Sequence, residues 1–242
     1  MVRFYKNAIV YIHTMPSITK NSTLKEYQQF VQTVYGLPND LHFELQDLLN
    51  NVQRFAMRGL KGIRKKNQEK CLTNLLITSS FFMSTLNRLH IDIEDELWHR
   101  FPYICSYCAR QPCQCKDSKP AQRKAITPDK AKKPNTIADF HIMFEKIYPS
   151  ASRTLEHAGV HMAEEVGELV EAFLAYRGEH TKIHFNNVTL EAADLLSCFF
   201  GVLNSLSIQL NDALSDFYTN NCHVCHHAPC SCEYRFVINF KS

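Results

Sequence analysis

The stretch CSYCARQPCQC at residues 105–115 returns 117 positions later as CHVCHHAPCSC at residues 222–232. Both stretches read C-x2-C-x4-C-x-C, and both carry a proline directly before the third cysteine. Four thiolates on a short loop suit a tetrahedral Zn2+ ion. We therefore predict two structural zinc sites, one in the first cysteine loop (105–115) and one in the second (222–232). Their ligands would be Cys105, Cys108, Cys113 and Cys115, and Cys222, Cys225, Cys230 and Cys232.

Other uses of these cysteines are less favoured. Two disulfide knots would need an oxidising compartment, and the N-terminus shows no convincing signal peptide. His223, His226 and His227 could replace or support a thiolate, although solvated loop histidines are the simpler interpretation. No apolar run reaches the roughly 18 residues of a membrane span. We therefore expect a cytoplasmic protein without a membrane partner.

The likeness between the two parts of the chain extends beyond the cysteines. At a shift of 117 positions, Leu86 matches Leu203, Asn87 matches Asn204, Asp95 matches Asp212 and Leu97 matches Leu214. Further upstream, Arg58-Gly59 matches Arg177-Gly178 at a shift of 119. This pattern predicts two copies of one unit. We call residues 1–115 the first repeat and residues 136–242 the second repeat.

Residues 116–135, KDSKPAQRKAITPDKAKKPN, separate the repeats. The segment has three prolines, seven basic residues and two aspartates, and we expect it to be a solvated, flexible linker. A basic run can also bind nucleic acid, but aromatic residues are missing here, so that partner is not favoured. The linker contributes +5 to a formal net charge of +3, so the rest of the chain is slightly acidic.

Helical spacing dominates each repeat. Only seven glycines and nine prolines occur, which favours helices over a turn-rich β-fold. In the second repeat we predict helices at 137–148, 157–177, 190–206 and 211–218, with a polar loop at 178–188. The expected fold is all-α, with one four-helix bundle per repeat and the two bundles paired as an intrachain pseudo-dimer. Residues 8–12 and 234–240 are candidates for short terminal strands.

Carboxylates recur one helical turn apart on two of these helices. Glu164, Glu165 and Glu168 lie on one helix, and Glu191 and Asp194 lie on the next. Like charges at this spacing destabilise a helix, and no Lys or Arg partner is evident on the same face. A shared Mg2+ ion, which prefers oxygen ligands and substrate phosphates, removes that cost. A solvated acidic face is the alternative, but the apolar residues that follow Asp194 argue against it.

The pattern Glu165-x-x-Glu168, 22 residues, Glu191-x-x-Asp194 resembles the MazG-type all-α nucleoside triphosphate pyrophosphohydrolases. Their relatives include all-α dUTPases and dCTPases, and the resemblance covers residues 137–218. It implies Mg2+-dependent cleavage of a nucleoside triphosphate to a monophosphate and pyrophosphate. By this resemblance all four residues bind Mg2+, and Glu164 or Glu165 polarises the attacking water. The cysteine loops are not part of the family pattern.

Further assignments are weaker. His161, Lys182 and Asn204 are candidate substrate-binding residues, although Asn87 at the position of Asn204 favours a structural role. The first repeat is predicted to be degenerate, because Gln46, Leu49, Asn74 and Ile77 stand where the second repeat has its carboxylates. The basic stretch 58–70 could reach the triphosphate or be solvated. A homo-oligomer is possible. The alternative function is an inactive zinc-containing adaptor for nucleic acid or protein.

Overall fold

The computed structural model describes residues 17–241, and this part of the chain is helical without any β-strand. The helices are α1 (Leu24–His42), α2 (Leu45–Arg64), α3 (Gln68–Arg88), α4 (Ile93–Arg100), α5 (Ile137–Ile147), α6 (Leu155–Glu179), α7 (Lys182–Ser205), α8 (Leu210–Phe217) and α9 (Tyr234–Asn239). The all-α prediction is confirmed. The candidate strand at 234–240 is wrong, since α9 occupies it, and the candidate at 8–12 lies outside the described residues.

The order and the ends of the helices are similar in the two parts of the chain. Helices α4 and α8 coincide position for position at a shift of 117. Both α1 and α5 begin with a capping box, in which a threonine hydroxyl accepts a hydrogen bond from the third backbone N–H of the helix. Thr23 accepts from Glu26 at 2.9 Å, and Thr136 accepts from Asp139 at 3.1 Å. The first four helices therefore have counterparts in α5–α8.

One apolar core runs through both repeats. Helices α2 and α3 pack against each other, as do α6 and α7, and α2 also packs on α6. At that crossing Gly159 of α6 allows a close approach, because a Cβ there would lie 2.8 Å from the Cδ2 of Leu60. Among the described helices α7 alone is long and apolar enough to cross a membrane, but 67% of its apolar stretch is buried in the protein.

Each cysteine loop packs on the repeat to which it does not belong. The backbone N–H of Cys113 donates to the carbonyl of Ile147 at 2.8 Å, and that of Cys230 donates to the carbonyl of Val34 at 2.7 Å. Helix α4 likewise packs mainly on α7 of the second repeat. The predicted boundaries at 115 and 136 separate the repeats along the chain. In the folded protein, however, the cysteine loops and α4 pack across these boundaries on the opposite repeat.

The connection between α6 and α7 differs from the prediction. The predicted polar loop at 178–188 is wrong, because α7 begins at Lys182 rather than at residue 190. His180 adopts a left-handed conformation with φ of 51° and reverses the chain, and the Thr181 hydroxyl caps the new helix. Phe185, which is half-buried, then packs edge-on against Tyr176 near the end of α6.

The linker contacts the folded body at several points. Although its composition predicts a solvated segment, the Nζ of Lys133 lies 3.0 Å from Glu94 and 2.5 Å from Asp95 on α4. The backbone N–H of Lys124 donates to the carbonyl of Tyr107 in the first cysteine loop at 3.2 Å. These contacts hold the linker beside α4 and the first cysteine loop.

Candidate metal centres and acidic site

The four sulfurs of each cysteine loop converge. All Sγ atoms within a loop lie within 4.8 Å of one another, with separations of 3.4 Å for Cys105–Cys113 and 3.4 Å for Cys222–Cys230. Four sulfurs at about 2.3 Å from a tetrahedral zinc ion would lie about 3.8 Å apart. All eight cysteines are free thiols. Each loop therefore has a ligand set that could hold one metal ion, as the sequence predicts.

The histidines of the second cysteine loop stand outside its sulfur cluster. The His223 ring stacks on Phe217 at 4.4 Å, and the Nδ1 of His227 lies 2.7 Å from the hydroxyl of Ser231. A hydrogen bond from the Cys230 thiol lowers the pKa of Cys222 to about 4, against the opposing effect of burial. The group of converging donors in this loop consists of its four sulfurs and includes none of the three histidines.

Three of the predicted carboxylates also converge. Glu165 and Glu168 on α6 and Glu191 on α7 each offer an oxygen within 4.8 Å of the other two, and we call them the acidic cluster. The side chains of Glu165 and Glu191 are half-buried, while Glu168 is exposed. Two helices from one hairpin therefore bring together residues that are 23 or more positions apart in the sequence.

The acidic cluster is electrostatically costly. Burial raises the pKa of Glu165 to about 8, and Asp194, Glu168 and Glu191 add to the increase. Burial, together with Asp194 and Glu168, also raises the pKa of Glu191. One oxygen of Glu165 and one of Glu191 are buried without a hydrogen-bond partner. Buried polar atoms are nearly always paired, so these two oxygens mark a place that a cation would fill.

Asp194, the fourth predicted Mg2+ ligand, lies outside this group and binds arginines instead. The Nε of Arg100 donates to one carboxylate oxygen at 2.9 Å, and its Nη2 lies 2.5 Å from the other. The Nη2 of Arg123 from the linker lies 3.8 Å from the second oxygen. The expectation that the same bundle offers no Lys or Arg partner is not contradicted, since both cations come from outside the second repeat.

The other candidate residues lie on the same two helices as the acidic cluster but outside it. Glu164 is exposed on α6, and His161 is exposed one turn earlier, with its ring 4.5 Å from that of His157. Lys182 is the exposed first residue of α7, about two and a half turns before Glu191. The structure does not bring any of these three into the acidic cluster.

Asn204 corresponds to Asn87, whose side chain forms structural hydrogen bonds in the first repeat. In the first repeat, Asn87 donates to the carbonyl of Gln28 at 2.9 Å, and Gln28 donates to the carbonyl of Ile91 at 2.9 Å. These bonds tie α1 to the turn before α4. In the second repeat, the Nδ2 of Asn204 and both ring nitrogens of the buried His141 lack a hydrogen-bond partner. The hydrogen bonds of Asn87 are therefore not repeated at Asn204, and its role stays a prediction.

The corresponding region of the first repeat is apolar. Ile77, at the position of Asp194, lines a cavity that is closed by the aromatic side chains of α9. Residues 58–64 of the basic stretch belong to α2, and residues 68–70 belong to α3. Only residues 65–67 form a turn between the two helices. The guanidinium groups of Arg54 and Arg58 donate to the carbonyl of Phe240 at 2.9 and 2.7 Å. The first repeat therefore has no acidic cluster within the described residues.

Arg100 and Arg123 are the site residues that the sequence reasoning missed. The duplication holds a signal for Arg100, because the matched position of the second repeat is Phe217, whereas Arg123 belongs to the linker outside both repeats. Phe240 lines a cavity together with Ile77, where the carboxylate is also missing.

Searches against protein-family models, curated proteins and solved structures found no match to this chain.

Proposed function

We propose that this protein is a Mg2+-dependent nucleoside triphosphate pyrophosphohydrolase whose site lies in the second repeat. The observation that supports it is the acidic cluster, with three carboxylate oxygens within 4.8 Å and two buried oxygens that lack a partner. An all-oxygen, partly buried donor set matches the preference of Mg2+. The resemblance to MazG-type enzymes, which the carboxylate spacing carries, supplies the reaction.

Glu165, Glu168 and Glu191 would hold the ion, and Asp194 would join them once it leaves its arginines. The bound ion would neutralise the triphosphate and leave the α-phosphorus open to water. Glu165 would polarise that water, because its carboxylate lies within the acidic cluster. Glu164, which is exposed, is the second candidate for this role.

The rest of the architecture would support the site. We assign one structural Zn2+ ion to each cysteine loop and interpret the two repeats as paired four-helix bundles, of which the first is degenerate. Because each loop packs on the opposite repeat, the zinc sites would fasten the two bundles together. The substrate is a nucleoside triphosphate, and the carboxylates and arginines described here contact phosphate rather than base.

The test is product analysis with purified, zinc-loaded protein, Mg2+ and a panel of ribo- and deoxyribonucleoside triphosphates. The expected products are a nucleoside monophosphate and pyrophosphate in equal amounts. Glu191→Gln should lower the rate by roughly a hundredfold or more. Glu156→Gln removes an exposed charge in the first turn of the same helical hairpin and should leave the rate unchanged.

Two results would contradict the proposal. One is the absence of monophosphate with every nucleotide, and the other is a rate that Glu191→Gln does not alter. Two zinc ions per chain without any hydrolysis would favour the adaptor instead. Salt-sensitive binding of DNA or RNA that is lost on deletion of residues 116–135 would then identify its partner.

A further inference from the structure

Two cations from outside the second repeat reach the proposed catalytic site. Arg100 is the last residue of α4, and its side chain is only 11% exposed. Arg123 belongs to the linker and is 46% exposed. Both contact Asp194, which is 13% exposed and lies close enough to raise the pKa of Glu165 and Glu191. The arginines therefore stand beside the acidic cluster rather than on a separate surface.

The pairing with Arg100 occupies both oxygens of Asp194. A planar guanidinium forms the same two-pronged contact with a phosphate as with a carboxylate. A phosphate group at this place would therefore offer Arg100 and Arg123 a new acceptor. Asp194 would then be released toward the three glutamates, where the fourth ligand of the motif is needed.

We propose that Arg100 and Arg123 bind the phosphate chain of the substrate and, without it, neutralise Asp194. This inference rests on the proposed function, and it adds residues from the first repeat and from the linker to the site. A phosphate chain is the ligand class that fits, because it supplies several acceptors to two guanidinium groups. No bond is formed or broken in this exchange of partners.

The two arginines differ in how they are held. Phe101, which follows Arg100, is buried and packs on Phe144 and Tyr148 of the second repeat, so Arg100 is fixed by the core. Arg123 lies over the ring of Tyr107 at 5.4 Å, and Lys119 lies over the same ring at 4.6 Å. Arg100 is thus the rigid contact, and Arg123 is the contact that the first cysteine loop positions.

The duplication supports this assignment independently. The repeat positions that correspond to Arg100 and Asp194 hold Phe217 and Ile77, and Phe240 stands 117 positions after the linker residue Arg123. Ile77 and Phe240 line the same apolar cavity, so the geometric relationship is kept while the charge is lost. Arg100 of the first repeat and Arg123 of the linker thus meet a carboxylate of the second repeat, whereas Phe240 meets Ile77 in an apolar cavity.

The experiment compares Arg123→Gln with Lys119→Gln, which removes a neighbouring linker cation over the same tyrosine. Calorimetry measures binding of Mg2+ alone and of tripolyphosphate in the presence of Mg2+. Arg123→Gln should weaken tripolyphosphate binding roughly tenfold, the loss of one charge-assisted contact. It should leave Mg2+ binding equal or tighter, because Asp194 loses a competitor. Lys119→Gln should change neither value.

A second variant, Arg100→Lys, keeps the charge but loses the two-pronged geometry. It should bind tripolyphosphate more weakly and Mg2+ at least as tightly as the parent protein. The inference would be overturned if Arg123→Gln and Arg100→Lys both bound tripolyphosphate as tightly as the parent protein does. It would also be overturned if both variants lost Mg2+ binding in parallel, which would leave the arginines as structural groups.

The outcomes also separate this inference from the proposed function. Hydrolysis of nucleotides by a parent protein whose arginine variants bind tripolyphosphate normally would refute the inference alone. Arginine-dependent binding of tripolyphosphate without hydrolysis of any nucleotide would refute the proposed function alone. If the parent protein does not bind tripolyphosphate, the inference is wrong.

Discussion

The two repeats place different chemistry on the same helical frame. In the second repeat, Asp194 is neutralised by two arginines beside three clustered glutamates. In the first repeat, Ile77 takes the place of the aspartate in an apolar cavity that α9 closes. The matched positions of Arg100 and Asp194 in the opposite repeats hold Phe217 and Ile77. The charges of this ion pair are therefore replaced together by apolar side chains. The first repeat also supplies Arg100 to this site and receives the second cysteine loop.

The largest expected effect concerns the exchanged cysteine loops. Cys230→Ser should reduce the zinc content from two ions to one and lower stability by several kcal/mol, because structural zinc contributes directly to folding. The N–H of Cys230 binds α1 through Val34, so hydrogen exchange should increase in α1 of the first repeat. The symmetric variant Cys113→Ser should instead loosen α5, through Ile147. Faster exchange confined to the altered loop in both variants would refute the exchanged packing.

A smaller effect is expected when the apolar half is given a carboxylate. Ile77 is 5% exposed and lies among aromatic residues, so Ile77→Asp would bury a charge without an arginine partner. We expect it to lower the free energy of unfolding by roughly 3 kcal/mol or more. Ile77→Val, measured by the same denaturant titration, should cost about 1 kcal/mol. Similar losses in the two variants would show that the cavity tolerates charge.

The smallest expected effect is a pH dependence of the protein's stability that arises from Glu165 in the second repeat. The pKa of Glu165 is raised to about 8, whereas its unfolded value is near the ordinary 4.5. Between about pH 4.5 and pH 8 the folded protein holds a proton that the unfolded chain releases, so stability should fall as pH rises through this window. Partial exposure of the carboxyl reduces the size of the effect.

Glu165→Gln gives the second repeat the amide that Gln46 provides in the first. The melting temperature of the Mg2+-free, zinc-loaded variant should therefore decline less between pH 5 and pH 8 than that of the parent protein. Added Mg2+ should raise the parent's melting temperature most at the upper end of this range, where the carboxyls are ionised. Identical pH profiles for the two proteins would show that Glu165 does not carry the proton.

Much of the molecule could be predicted from the sequence because its signals are local or periodic. Helical spacing and scarce glycine predict the all-α fold. The repeated cysteine spacing predicts both groups of four converging sulfurs. Carboxylates one turn apart likewise predict the acidic cluster. The start of α7 was not predictable from apolar spacing alone, since the Thr181 cap and the contact of Phe185 with Tyr176 decide it.

Contacts between the repeats could not be predicted, because they leave no periodic trace. The arginine partners of Asp194 come from positions 94 and 71 residues away in the sequence. The exchange of the cysteine loops is equally hidden, since both loops share one motif and both receiving helices offer a tyrosine. Tyr35 lies beside Cys222, and Tyr148 lies beside Cys105. Only the folded structure decides which loop meets which helix.

The most direct test of the account is to locate a divalent cation in crystals soaked with Mn2+ and a non-hydrolysable nucleoside triphosphate. Anomalous scattering should show Mn2+ bound by Glu165, Glu168 and Glu191, with Asp194 turned toward the metal and the arginines on phosphate oxygens. No corresponding peak should lie beside Ile77 of the first repeat. An acidic cluster without Mn2+, or Asp194 still held by Arg100 beside a bound triphosphate, would contradict the account.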